Sequence, residues 1–270
     1  MTLELLWAEE FEGSAGAPPD LNSWGFMIGD GSTLGIPGWG NEERQFYIPE
    51  AVSLTGRSEL AISATRMPVS AVGEPTNSNP YFCYYGTAAE WTSARISTLG
   101  KIGFKYGRIE ARMRMPVGAG TWPAFWMLGS DIADHHWPNC GEIDIAEGRG
   151  DFPCRLFGTV HGPGYFADNG RGAVLDADFQ LGEGFHTYAI DWLPEAITWY
   201  VDEQQYSHVS KSDVPEGKWV FDHEFHLLLN LAMGGNFAGA IDPQLESATF
   251  TIDYVRHFAI DGVGENFKRW

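Results

Sequence analysis

Glu142, Asp144 and Glu147 fall within six consecutive positions of GEIDIAEG (141–148), with Ile143, Ile145 and Ala146 between them. Burying one unpaired carboxylate is costly, and carboxylates placed close together raise one another's proton affinity. A raised proton affinity is what a general acid working near neutral pH requires. Two carboxyl groups about 5–5.5 Å apart suit glycoside hydrolysis with retention of configuration. One attacks the anomeric carbon. The other protonates the leaving oxygen and then activates water. A third acid between them shares a proton with the nucleophile and tunes both groups. The plain alternatives are a solvated strand face or an oxygen-rich calcium site.

Geometry decides whether the three can meet. In a strand, residues i and i+2 share a face, so Glu142 and Asp144 point the same way. Glu147 lies an odd number of residues from both and would face the other layer. A β-bulge at Ile145–Ala146 inserts one residue and restores the parity. The spacing therefore predicts a bulge there, with all three acids over one concave surface.

The rest of the chain reads as strands. Short alternating runs recur at 58–66, 106–116, 122–129, 156–162, 185–192, 196–206, 225–235 and 248–258, each bounded by Gly, Pro, Asn or Asp. In YGRIEARMRMP (106–116), Arg108, Glu110, Arg112 and Arg114 alternate with Ile109, Ala111, Met113 and Met115. That predicts one wet face and one dry face. Helical periodicity is scarce, and VPEGKW (214–219) carries at most a turn. The expected architecture is all-β, a single-domain β-sandwich over 1–270. Two long irregular segments, 27–45 and 67–86, interrupt it, and long loops in compact domains tend to serve function.

Side chains around the acids fit a sugar-binding surface. Trp122, Ala124 and Trp126 of GTWPAFWMLG share a strand face, and Trp137 lies just before the acids. Indole rings offer flat apolar platforms to the C–H faces of sugars. Asn41 in GWGNEERQF can bond a hydroxyl. Arg95 in TSARI can hold a hydroxyl or orient a carboxylate. His161 lies on the run expected to follow the acids. Asn230 is polar within LLLNLA and must satisfy backbone groups or face the cleft.

Composition narrows the partner. Lys plus Arg is 17 against 36 for Asp plus Glu, a formal net charge of −19. Phosphate binding relies on Lys and Arg, so nucleic acid is disfavoured as a partner. A neutral polymer fits better. Aromatic residues make up 14% of the chain, with 11 Trp, more than a core alone requires. Cys83, Cys140 and Cys154 show no metal-ligand spacing and are expected as free thiols. No apolar run approaches the ~20 residues of a membrane helix. MTLELLWAEEF lacks the basic and apolar segments of a signal peptide. An extracellular location is expected, with the cytoplasm as the alternative.

WAEEF (7–11), GWGNEE (38–43), TSARI (92–96), YGRIEARM (106–113), GTWPAFWML (120–128), GEIDIAE (141–147), FHTYAIDW (185–192), WYVD (199–202) and IDYVR (252–256) together resemble the laminarinase-type members of glycoside hydrolase family 16. The resemblance runs through nearly the whole chain. It implies a concanavalin A-like jelly roll with a concave cleft, acting on a neutral β-glucan by retaining hydrolysis of internal β-1,3 bonds; a monomer is expected. It implies Glu142 as nucleophile, Glu147 as acid/base and Asp144 as the assisting acid, and no catalytic cofactor. It places Asn41, Arg95, Trp122, Trp126, His161 and Asn230 along the cleft. It also implies a structural calcium held by Glu10, Gly56 and Asp253. The segment 67–90, longer than is usual for the family, can close one end of the cleft. Other family specificities, such as mixed-linkage glucan, galactan or transglycosylation, are the alternatives. A non-catalytic glucan-binding module would lack the acids that this chain keeps.

Overall fold

The computed structural model describes residues 1–68, 74 and 76–269. Two large sheets face each other. One runs in the order Gln204–Ser210, Ala196–Val201, His186–Leu193, Gly107–Arg114, Ser247–Ile260, Leu60–Arg66, Trp91–Ser93, Gln45–Tyr47, with Leu3–Glu9 and Val52–Leu54 paired at its side. The other runs Arg171–Asp176, Arg155–His161, Glu142–Gly148, Thr121–Gly129, Phe225–Met233, Ile102–Lys105, Glu265–Lys268, with Arg95–Ser97 also paired to Phe225–Met233. Pairing is antiparallel except between Gln45–Tyr47 and Trp91–Ser93, which are parallel. This is the β-sandwich expected from the alternating runs, in the jelly-roll form that the resemblance implies.

Alternation sends one set of side chains from each sheet inward. Ile109, Ala111, Met113, Ile190, Trp192 and Trp199 meet Phe125, Met127, Ile143, Leu227 and Leu229 in one continuous core. Burying each large side chain contributes roughly 1.5–3 kcal/mol. Phe225–Met233 is buried along its whole length. It lies under the core on one side and under a functional face on the other, which explains its nearly unbroken apolar sequence. The run at 196–206 is two strands, because Asp202 and Glu203 adopt positive φ and reverse the chain. Cys83, Cys140 and Cys154 are free, as expected.

The face of Gly107–Arg114 expected to be wet is dry at one end. Arg108 is 1% exposed and Glu110 is 8% exposed. Arg108 reaches Glu110 at 2.9 Å, Asp191 at 3.3 Å and Glu203 at 2.5 Å, with the Tyr200 ring alongside. A guanidinium can be buried where carboxylates surround it, and alternation of residue types does not reveal that. Removing it strands buried acids, so Arg108→Ala is expected to cost about 3–5 kcal/mol in urea unfolding. A loss below about 1 kcal/mol would show that the cluster is solvated rather than buried.

Candidate active site

The strand Glu142–Gly148 lies between Thr121–Gly129 and Arg155–His161, and its register shows how the acids align. Trp126 pairs with Asp144, Phe125 with Ala146 and Ala124 with Glu147. On the other side Thr159 pairs with Asp144 and Phe157 with Glu147. Ile145 is therefore surplus on both sides, which is the bulge expected from the spacing. Ile145 and Ala146 both turn into the core, at 1% and 0% exposure. Bulging leaves a backbone oxygen outside the regular ladder. The indole N–H of Trp199, from the opposite sheet, donates to the carbonyl of Asp144 at 2.8 Å. Glu142, Asp144 and Glu147 consequently share a face with Trp122, Ala124 and Trp126.

Each acid has distinct partners. The indole N–H of Trp122 donates to Glu147 Oε1 at 2.8 Å. His161 Nε2 lies 3.1 Å from Asp144 Oδ2 and 4.0 Å from Glu142 Oε1. The Asp144 carboxylate raises the proton affinity of Glu142 and the Trp137 indole lowers it. Gly170 comes so close to His161 that a Cβ there would lie 2.6 Å from the ring, so the Gly-rich loop after His161 packs onto the histidine. Trp137 is half-exposed, 5.4 Å from Phe166 edge to face, and walls one side. Phe237 packs on Trp122 at 4.8 Å and walls the other.

Away from the acids the same face continues across the sheet. Ala124 pairs with Asn230 and Asn230 pairs with Arg95. The indole N–H of Trp126 donates to Asn230 Oδ1 at 2.7 Å. The Arg95 guanidinium sits between two indoles, 4.5 Å from Trp39 and 4.7 Å from Trp126. Asn41 donates to Glu43 at 3.3 Å and forms the rim beyond Arg95. Trp122, Trp126, Asn230 and Arg95 thus occupy paired positions across this sheet, and Asn41 lies in the loop beside Glu43. Sequence reasoning missed Trp39, Glu43 and Phe237. Trp39 and Glu43 flank Asn41 in GWGNEE, and a second buried acid beside a Trp was the available signal.

Burial and crowding make the acids hold protons. Burial first, then the Asp144 charge, push Glu142 up to about 8, while His161 and Trp137 oppose the rise. Burial raises Asp144 as well. Glu147 rises well above the carboxylate range through burial and the charges of Asp144 and Glu142, opposed by the Trp122 hydrogen bond and His161. Three negative charges this close oppose one another, so the cluster holds protons above the ordinary carboxylate range.

Among the described residues, Glu142, Asp144 and His161 are a group whose ligand atoms, within 4.8 Å of one another, could hold a metal. The residues expected around calcium have other partners. Glu10 grips Arg256 at 2.7 and 2.9 Å, and Asp253 pairs with Arg112. A guanidinium thus lies against each of these two carboxylates.

A sandwich whose outer sheet face carries paired carboxyl groups between indole platforms is a glycoside hydrolase arrangement. The chain belongs to glycosyl hydrolases family 16, whose sequence model matches residues 51–256. It is 37% identical to a β-glucanase of Rhodothermus marinus, over 94% of this chain and 84% of that protein. It is 34% identical to a glucan endo-1,3-β-glucosidase of Cryptopygus antarcticus, over 93% and 90%. The laminarinase catalytic domain of Thermotoga maritima MSB8 superposes with a TM-score of 0.86 at 38% identity, covering 96% of this chain and 99% of that one. The endo-β-1,3-glucanase of Pyrococcus furiosus gives 0.85 at 37%, covering 95% and 94%.

Two outcomes follow from the electrostatics. Trp122→Phe removes the hydrogen bond that favours ionised Glu147, so its proton affinity rises further. The alkaline limb of the pH–activity profile should move to higher pH; a downward move would contradict this arrangement. Glu142 has a raised affinity in the folded chain, so rising pH strips a proton that folding prefers to keep. Its stabilising contribution is present below the ordinary carboxylate range and is lost as pH climbs to about 8. Glu142→Gln has no such loss. Its melting temperature should exceed the wild type's by a margin that widens between about pH 5 and about pH 9. A constant gap would mean that Glu142 ionises normally.

Proposed function

We propose that the chain is a retaining endo-β-1,3-glucanase acting on laminarin-like glucans. The observation that carries the reading is the bulge at Ile145, which gathers Glu142, Asp144 and Glu147 on one walled face. Glu142 is the nucleophile. It is reactive when the proton it shares with Asp144 lies on Asp144, whose O–H then donates to the Glu142 carboxylate. As Glu142 bonds to the anomeric carbon, its negative charge is consumed and the crowding relaxes. Glu147, held protonated by burial and by its two neighbours, donates to the leaving glycosidic oxygen. Loss of that proton leaves a carboxylate, steadied by the Trp122 N–H, which takes a proton from the water that releases the product.

The rest of the face binds the glucan. Trp122, Trp126 and Trp137 offer apolar ring faces, while Asn41, Arg95, His161 and Asn230 offer hydrogen bonds to hydroxyls. Every proton and electron pair in the reaction comes from the chain, substrate or water, so no cofactor is required. Polymeric glucan points to action outside the cell. Among the described residues, no helix is long and apolar enough to cross a membrane.

The test is hydrolysis of laminarin, curdlan, lichenan, cellulose and agarose, followed by reducing ends, product sizes and the anomeric configuration of the first product. Internal cleavage of laminarin with retained configuration is expected. Glu142→Gln and Glu147→Gln should each lower turnover at least about 10²-fold while laminarin binding persists. Inversion, or near-normal turnover by Glu142→Gln, would remove the assignment. No cleavage of any β-1,3-linked glucan would remove the function.

A further inference from the structure

Glu43 is a buried carboxylate that the chemistry above does not use. It is 5% exposed, and Arg95 lies within electrostatic reach of both it and Glu142. Three donors converge on it. Asn41 Nδ2 reaches Oε1 at 3.3 Å, Gln45 Nε2 reaches Oε2 at 2.5 Å, and the Tyr47 hydroxyl reaches Oε2 at 3.2 Å. The Gln45 amide cannot turn to suit a different partner, because its oxygen accepts the Met233 backbone N–H at 2.8 Å. Its NH2 must face Glu43. Only an acceptor at both oxygens of residue 43 satisfies this set.

The consequence falls on Asn41. Its NH2 is turned inward, onto Glu43 Oε1 and the Trp39 carbonyl. Among the described residues no donor reaches Asn41 Oδ1, which is left as an acceptor. The backbone of Asn41 is fixed as well. Its carbonyl accepts from Asn236 N–H at 2.8 Å, and Gly235, at φ +82°, approaches so closely that a Cβ would lie 2.6 Å from that oxygen. Thus the amide can flip, but the residue cannot move away. The charged groups facing this cluster are Arg95, which Glu43 attracts, and beyond it Glu142.

We propose that Glu43 is a positioning residue that fixes the hydrogen-bonding polarity of the cleft rim, holding Asn41 so that it offers its oxygen to a sugar hydroxyl. The inference rests on the reading of this face as the glucan-binding cleft. Glu43 itself touches no substrate. It acts by being an acceptor on both sides, with Arg95 as its balancing charge.

The test is Glu43→Gln, which keeps size and shape but carries only one acceptor oxygen. Gln45 and Tyr47 both demand that oxygen, so the new NH2 faces Asn41. The Asn41 amide must then flip, presenting a donor where the sugar met an acceptor. Expected is a rise in KM for laminari-oligosaccharides of about tenfold, with kcat within about twofold. Asn41→Asp in the same chain accepts from the new NH2 and returns an acceptor to the rim. The double variant Glu43→Gln/Asn41→Asp should therefore recover most of the loss. An unchanged KM in Glu43→Gln, or no recovery in a folded double variant, overturns the proposal. A substrate-free readout separates this from the fate of the glucanase reading. The side-chain amide NMR signals of Asn41 should move in Glu43→Gln, and unmoved signals overturn the proposal whether or not laminarin is cleaved.

Discussion

One surplus residue in one strand governs the chemistry of this molecule. Without Ile145 out of step, Glu147 would project into the core beside Phe125 and Met127, away from Glu142 and Asp144. The distortion is sustained from behind. Ile145 and Ala146 fill core space, and Trp199 of the opposite sheet donates to the carbonyl of Asp144 at 2.8 Å. The sandwich therefore does more than carry the site. Its second layer satisfies a polar atom that the bulge takes out of the ladder, and such an atom left alone in the interior would cost about 1–3 kcal/mol.

The gathering of acids has an electrostatic cost that the same residues put to use. Crowded, buried carboxyl groups resist ionising together, so their proton affinities rise. His161 and Trp122 limit the effect by favouring the charged forms of particular acids. Further along the face, Arg95 lies between the rings of Trp39 and Trp126 with Glu43 as its counter-charge.

Much of this was legible in the chain. Period-two alternation marked most strands, and the odd spacing of Glu147 marked the bulge, because a strand allows no other way to bring that acid round. Trp122 and Trp126 were readable from their shared parity. What escaped depended on contacts between segments remote in sequence. The burial of Arg108 comes from Asp191 and Glu203, more than eighty residues away. Glu43 looks like one more surface acid in GWGNEERQF until Tyr47 and Gln45 are seen to close over it. The calcium residues implied by resemblance lie in place along the chain, yet Arg256 and Arg112 take the carboxylates. Local pattern reveals which face a side chain takes. It does not reveal which distant side chain meets it there.

The convergence of the three acids is tested most directly by following their titration. With the glutamate side-chain carboxyl carbons labelled with 13C, NMR should show Glu142 losing its proton at about pH 8 in the wild type. In Asp144→Asn the midpoint should fall, since the neighbouring negative charge is gone. A Glu142 that titrates in the ordinary carboxylate range, unmoved by that substitution, would mean that the acids do not share one face.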